Sequence, residues 1–375
     1  MSIRLLHTAD WQIGKQFANI PGDPGAVLRT QRLKTVARIA DLALESSVDA
    51  ILVAGDVFDD NAVSDDTLRR TINAMAAYGG PWVLLPGNHD CGLTQSAWSR
   101  LRALGIVPQN VFIADKPELI QLAKGRVHLL PAPLNRRQEV RDLTDWFDGQ
   151  ASAEGVFRVG IAHGSVTNRL PESAELHNPI SDRRACSARL DYLALGDWHG
   201  TLAIADKTWY SGTPEQDRFR QNTPGNVLIV DIPGVGVAPE VEVVGVGQFH
   251  WHQLDIALSD LQSLAVLEQR LADLGDPHRV LLRLRLSGAL TLADRQALNG
   301  LLERWSARMH FLKVDDADLL AQPNAEDIAG MGASGFLKET IDALVEIEKT
   351  REDPNRAHAA RALQILYLAQ KELAR

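Results

Sequence analysis

From Met1 to about Gly200 the sequence predicts an α/β fold, on two observations. Short apolar runs alternate with helix-like stretches, and several apolar runs are followed closely by Gly, Asp, Asn or His. The candidate strands are Ile3–His7, Ala50–Ala54, Trp82–Leu85, Val127–Leu130, Val159–Ala162 and Tyr192–Leu195. Between the first two, Gln31–Glu45 sets Leu33, Val36, Ala37, Ala40 and Leu44 at helical spacing. A β-rich part follows, with Val227–Asp231 and Glu240–Val244 separated by Pro233-Gly234.

The composition changes near Trp251. Leu261–Leu274 and Leu292–Met309 read as amphipathic helices, Val280–Leu286 alternates as a strand, and Phe311–Val314 reads as another. Together they predict a small α+β domain. A looser stretch, Gln322–Gly335, leads to two terminal helices, Phe336–Arg351 and Arg356–Leu373, parted by Asp353-Pro354. One carries an apolar stripe of Leu337, Ile341, Leu344 and Val345; the other carries Ala359, Leu363, Leu366 and Leu373. The expected division is 1–250, 251–330 and 331–375.

At 375 residues the chain exceeds one average domain, and 45% hydrophobic with 23% charged residues suits a buried core. A net charge of −9 argues against polyanion binding through overall charge. It leaves open a nucleic-acid substrate met by bound cations or local arginines. Cys91 and Cys186 are the only cysteines, which gives no disulfide framework and suits a reducing compartment. The chain begins directly in a strand pattern with no basic leader, and no stretch reaches bilayer-spanning apolar length. A cytoplasmic protein is expected.

Five strand ends carry polar residues able to bind metal. They are Asp10 with Gln12; Gly55-Asp56 with Asp59; Gly87-Asn88-His89-Asp90; His163-Gly164; and Gly196-Asp197-Trp198-His199. Following apolar runs, these side chains should project from one carboxyl edge of a sheet, where α/β folds place their sites. Asp10 alone or His163 alone reads equally well as a turn or a helix cap, Gly87-Asn88-His89-Asp90 less so; five sets in succession point to a metal centre. Mixed Asp, Asn and His ligands suit Mn²⁺, Fe²⁺ or Zn²⁺ rather than a thiolate-bound ion.

These segments resemble the five motifs of the calcineurin-like metallophosphoesterases: Asp-x-His, Gly-Asp-x-x-Asp, Gly-Asn-His-Asp, a lone His, and Gly-His-x-His. More narrowly, Leu6-His7-Thr8-Ala9-Asp10-Trp11, Gly55-Asp56-Val57-Phe58-Asp59 and Tyr210-Ser211-Gly212-Thr213-Pro214 resemble the SbcD-like DNA repair nucleases. The resemblance implies a four-layer αββα sandwich with a small α+β capping domain and a C-terminal helical tail. It also implies two divalent ions, most often Mn²⁺. Asp10, Asp56 and His199 would hold the first, with Asp56 bridging to a second held by Asn88 and His163. His89 would donate a proton to the leaving oxygen or stabilise the transition state. Ions about 3.5–4 Å apart can activate water and neutralise phosphate oxygens.

Two positions depart from the motifs. Gln12 stands where the family has His, and Asp197 replaces the first His of Gly-His-x-His. A glutamine carbonyl is a weak neutral ligand, while a carboxylate favours Mn²⁺ or Mg²⁺ over softer ions.

The expected function is metal-dependent DNA phosphodiester hydrolysis in repair, as an exonuclease or endonuclease. One rival is a small-molecule phosphodiesterase or phosphatase. Another is a metal-bound scaffold, catalytically weak, for an SMC-type ATPase. The resemblance further implies a homodimer and an SbcC-like ATPase partner bound by the terminal helices. Trp11, Trp198 and Tyr210 could stack on a base, but packing is the commoner role of such residues. Cys91 reads as a packed small hydrophobe. Arg283 and Arg285 read as a solvated strand face, and the pairs Arg136-Arg137 and Arg183-Arg184 as surface residues. His128 and His177 have no role that their spacing suggests.

Overall fold

The computed structural model describes residues 2–169, 177–219, 222–322, 335–350 and 352–373. Its contacts group the chain into two compact units, Met1–Phe249 and His250–Arg375.

The first unit contains two six-stranded sheets. One is built from β1 (Ile3–Thr8), β2 (Ala50–Val53), β3 (Trp82–Leu84) and β4 (Val111–Ile113), all parallel. The second holds β5 (Ile120–Leu122), β6 (Val127–Ala132), β7 (Phe157–His163), β10 (Tyr192–Gly196), β11 (Leu202–Ala205) and β12 (Thr208–Tyr210). Its inner strands β6, β7, β10 and β12 are parallel, and the edge strands β5 and β11 are antiparallel. Between β7 and β10 a short pair, β8 (Ser165–Val166) and β9 (Pro179–Ile180), lies apart from both sheets. The strands β13 (Asn226–Ile232) and β14 (Glu240–Gly245) return to complete the first sheet, β13 pairing antiparallel with β1.

Strand periodicity explains the stacking of layers. Leu5, Leu52 and Val83 face inward to meet Leu129, Ile161 and Ala194 of the other sheet. Their neighbours Leu6, Ile51, Val53 and Trp82 face the other way, onto helices α1 (Asp23–Glu45), α2 (Asp65–Ala74) and α3 (Ala97–Ala103). Leu130, Ala162, Leu193 and Leu195 face out of the second sheet onto Phe147, Ala188 and Leu190. These outer residues belong to a 3₁₀ turn, Asp145–Gly149, and to the one-turn helix α4 (Arg184–Ser187) with its exit. The result is the four-layer αββα sandwich, with a thin fourth layer.

Helix α1 begins earlier than the apolar spacing indicates, because Pro24 suits a first helical turn. Helix α2 is capped by Ser64, whose Oγ accepts from Thr67 N at 3.1 Å. Ser96 and Ser99 form a reciprocal capping box at α3.

The second unit holds a parallel three-stranded sheet of β15 (His250–Leu258), β16 (Val280–Thr291) and β17 (Phe311–Gln322). Helices α5 (Leu261–Ala272) and α6 (Leu292–Ser306) cover it through Leu264, Leu267, Leu298 and Trp305. The terminal helices α7 (Phe336–Lys349) and α8 (Arg356–Leu373) pack through Ile341, Leu363 and Tyr367, with Leu344, Val345 and Leu366 alongside. Ile341, Leu344 and Val345 of one expected stripe thus meet Leu363 and Leu366 of the other, while Leu337, Phe336 and Ile365 are exposed and the Leu373 side chain lies outside the described residues. Most of the looser stretch Gln322–Gly335 lies outside the described residues.

Candidate metal centre

The loop after β1 is tied to the loop after β2 by backbone bonds. Asp10 N donates to Gly55 O at 3.0 Å, Gln12 N to Asp56 O at 2.8 Å, and Ile13 N to Val57 O at 2.9 Å. Asp10, Gln12, Asp56 and Asp197 all adopt positive φ, at 54°, 43°, 51° and 101°. Such backbone costs on the order of 1–3 kcal/mol at a non-glycine residue and persists only where its surroundings impose it. Space is equally constrained. A Cβ on Gly87 would lie 2.2 Å from Asp56 Oδ1, and one on Gly196 would lie 1.9 Å from Ala54 O.

Asp10, Asp56 and His163 each bring one ligand atom within 4.8 Å of the others. His163 Nε2 lies 3.0 Å from Asn88 Oδ1, 3.6 Å from Asp56 Oδ1 and 3.8 Å from Asp197 Oδ1. Asp197 N donates to both carboxylate oxygens of Asp10, at 3.2 and 3.3 Å. Asp197 Oδ2 accepts from Ser165 Oγ at 2.9 Å, which turns Oδ1 toward His163. His163 Nδ1 sits 2.9 Å from the Ala54 carbonyl, so that nitrogen carries the proton and Nε2 keeps a lone pair for a ligand.

The electrostatics call for a cation here. Burial disfavours charge on His163, yet Asp56, Asp10 and Asp197 push its pKa up to about 9. Burial raises Asp10 to about 6, against the pull of His199 and His163. Burial likewise raises Asp197. The buried carboxylates of Asp10 and Asp56 and the half-buried one of Asp197, with one imidazole and one amide oxygen, form a hard O/N donor set that fits a divalent ion such as Mn²⁺.

Gln12 and His199 form a neighbouring group. Gln12 Nε2 lies 3.3 Å from His199 Nε2, and Gln12 Oε1 accepts from Lys15 Nζ at 2.7 Å. His199 Nδ1 lies 3.2 Å from Asp217 Oδ1, and Arg218 Nη2 lies 3.0 and 3.1 Å from the two ring nitrogens. Burial works against ionised Asp217, but His199, Arg218 and Lys15 hold its pKa well below the usual range.

His89 takes a different place. Its Nδ1 donates to the Asp59 carbonyl at 2.8 Å, its N–H donates to Asp56 Oδ1 at 2.9 Å, and Nε2 stands 4.0 Å from Asp56 Oδ2. Beside it, Asp90 points inward and accepts from Gly87 N at 2.7 Å and Phe58 N at 3.0 Å, which shapes the loop. Burial raises its pKa to about 8.

Several supporting residues carry no local signal in the sequence. Arg32, fully buried in α1, donates to the carbonyls of Trp11, Glu215 and Asp10 and to Thr213 Oγ1. Glu215 accepts from Thr35 Oγ1 and from Gln248 N and Phe249 N. Trp11, Tyr210 and Cys91 are buried, as packing residues are. Arg184 corrects the surface expectation: it is buried and pairs with Asp142, Asp145 and Asp148. Arg136, Arg137 and Arg183 are exposed. Arg285 is exposed and faces Asp255 and Asp315.

Facing sheets with Asp, Asn and His gathered at their strand ends define a metallophosphoesterase. The family model for calcineurin-like phosphoesterases matches residues 3–201, and the chain belongs to that family. It is 36% identical over 110 residues to the SbcD component of the nuclease SbcCD from Rhodobacter capsulatus, a match that covers 28% of this chain and 26% of that protein. It is 22% identical over 248 residues to the DNA double-strand break repair protein Mre11 of Methanosarcina acetivorans, covering 63% of this chain and 38% of that one. The uncharacterized metallophosphoesterase YhaO of Bacillus subtilis is 20% identical over 288 residues, 72% of this chain and 67% of that one. The chain thus spans well under half the length of these SbcD and Mre11 relatives. Among the described residues no helix is long and apolar enough to cross a membrane.

Proposed function

We propose that this protein is a Mn²⁺-dependent DNA nuclease of the SbcD and Mre11 kind, acting in repair in the cytoplasm. Phosphodiester hydrolysis takes place where Asp10, Asp56, Asn88, His163 and Asp197 converge, and that convergence is the observation on which the assignment rests. A bound divalent ion supplies a water of lowered pKa and neutralises charge on the phosphate oxygens. His163 keeps Nε2 directed at the ion site through its bond to Ala54 O. His89, held by the Asp59 carbonyl, presents Nε2 and gives a proton to the leaving oxygen.

DNA as substrate draws support from relatives named as nucleases and double-strand break repair proteins. We assign residues 1–250 to hydrolysis, 251–330 to a capping domain, and 331–375 to binding an SbcC-like, SMC-type ATPase. The exposed Phe336 and Ile365 of the terminal helices support the last assignment. A homodimer belongs to the same reading.

The test is the purified protein with Mn²⁺ on single- and double-stranded DNA and on a chromogenic phosphodiester, beside His89→Ala. DNA cleavage that disappears in the variant is the expected result. Small-diester turnover with untouched DNA would favour a small-molecule phosphodiesterase, and no hydrolysis at all would favour a scaffold. Full turnover with Zn²⁺ but none with Mn²⁺ would overturn the metal assignment.

A further inference from the structure

Gln12 and His199 stand where the family resemblance calls for ligands of a further ion, yet their donor atoms are already engaged. Gln12 Oε1 accepts from Lys15 Nζ at 2.7 Å. His199 Nδ1 faces Asp217 Oδ1 at 3.2 Å; with the proton there, the lone pair is on Nε2. That Nε2 lies 3.3 Å from the Gln12 Nε2 amide, an N–H donor, while Arg218 Nη2 lies against the ring, 3.0 Å from Nδ1 and 3.1 Å from Nε2. An ammonium therefore sits on Gln12 Oε1, the Gln12 amide faces His199 Nε2, and a guanidinium lies against the same imidazole, where a second ion would have to enter.

The charges close without that ion. Lys15 pairs with Asp217 at 2.9 Å and lies 3.6 Å from Asp59, and Arg218 pairs with Asp217 at 3.1 Å. Two cations here face two carboxylates. Asp10, Asp56 and Asp197 differ: among the described residues, Asp56 and Asp197 have ion-pair contacts only with histidines, and Asp10 has none. A divalent ion placed beside either cation would be repelled by it, and twice as strongly as a monovalent one. The unneutralised charge lies on one side of the centre and the protein's own cations lie on the other.

We propose that the chain binds one divalent ion, at Asp10, Asp56, Asn88, His163 and Asp197, and that Lys15 and Arg218 stand in place of a second. The proposal rests on the phosphoesterase reading and refines it. The Arg218 side chain is 46% exposed, so its guanidinium can also meet a phosphate oxygen of the substrate.

Metal stoichiometry decides the matter. The full chain is dialysed against excess Mn²⁺, its bound metal counted by mass spectrometry, and its electron paramagnetic resonance spectrum recorded. One ion per chain with the hyperfine pattern of isolated Mn²⁺ is expected, and Gln12→His combined with Arg218→Ala should raise the count toward two. Two ions in the unaltered chain, with the exchange-coupled signal of a pair, would overturn the proposal while leaving the nuclease reading intact. No bound ion together with no hydrolysis would overturn both. A double variant that still holds one ion would remove Gln12 and Arg218 as the excluding groups.

Discussion

Arg32 Nε donates to the Trp11 carbonyl across 2.6 Å, and the same guanidinium reaches the Glu215 carbonyl at 3.0 Å. One buried side chain thereby fixes the loop that presents Asp10 and the segment that leads to Asp217. Arg32→Met leaves several buried carbonyls without donors, at roughly 1–3 kcal/mol each. A total loss of at least about 3 kcal/mol in urea unfolding is expected, with weaker Mn²⁺ binding. Unchanged stability would show that the clamp is dispensable.

The glycines at the strand ends are steric requirements. Gly87→Ala and Gly196→Ala each drive a methyl into an atom about 2 Å away. Both should weaken Mn²⁺ binding at least about tenfold by calorimetry, the effect of moving a ligand carboxylate or its supporting loop. Gly79→Ala is the control, since nothing lies within 4 Å of its added carbon.

His89 and His163 should separate chemistry from metal binding. His89→Ala is expected to lower kcat by roughly 10²–10⁴ with Mn²⁺ affinity nearly unchanged. His163→Ala should abolish Mn²⁺ binding and activity together. Equal loss of metal in both variants would place His89 among the ligands instead.

Acid should weaken the fold through His7. The ring is fully buried, with Nδ1 2.9 Å from Tyr192 Oη and Nε2 3.1 Å from Leu195 O. Burial lowers its pKa from 6.5 to about 3, the Leu195 carbonyl opposing this. Between those values the unfolded chain takes a proton that the folded chain refuses. The contribution is therefore whole above pH 6.5 and declines by about 1.4 kcal/mol per unit as pH falls toward 3. Urea midpoints at pH 7 and 5 should differ less in His7→Gln, and an identical difference would count against this.

The proposed role of the tail can be separated from hydrolysis. On the proposed role of the tail, removing Phe336–Arg375 should abolish binding of an SbcC-like ATPase and spare hydrolysis of a small diester. Phe336→Asp with Ile365→Asp should weaken the partner without touching the pairing of Ile341 with Leu363.

Much of the fold is legible in the sequence because strand and helix patterns are local. The runs Ile3–His7, Val159–Ala162 and Tyr192–Leu195 each fall within observed strands, and Asp10, Asp56, Asn88, His163 and Asp197 lie together at strand ends, with Gln12 and His199 in a neighbouring group. Helix α2 is not among the expected elements, although Ser64 ahead of Asp65-Asp66 is a capping signal. Lys15, Arg32, Asp217 and Arg218 are hidden for another reason. Each has a partner far off along the chain, Arg32 with Glu215, Lys15 with Asp217 and Arg218 with His199, and no local spacing encodes such contacts. Arg184 departs from expectation because a charged side chain reads as exposed until its three aspartates are brought to it.

Asp10 and Asp56 come from one sheet and His163 and Asp197 from the other. An ion held by these four residues would rivet the seam, with ligands from both halves of the sandwich. Heat or denaturant that parts the sheets must release the metal in the same event, so chelation should lower the melting temperature and added Mn²⁺ should raise it.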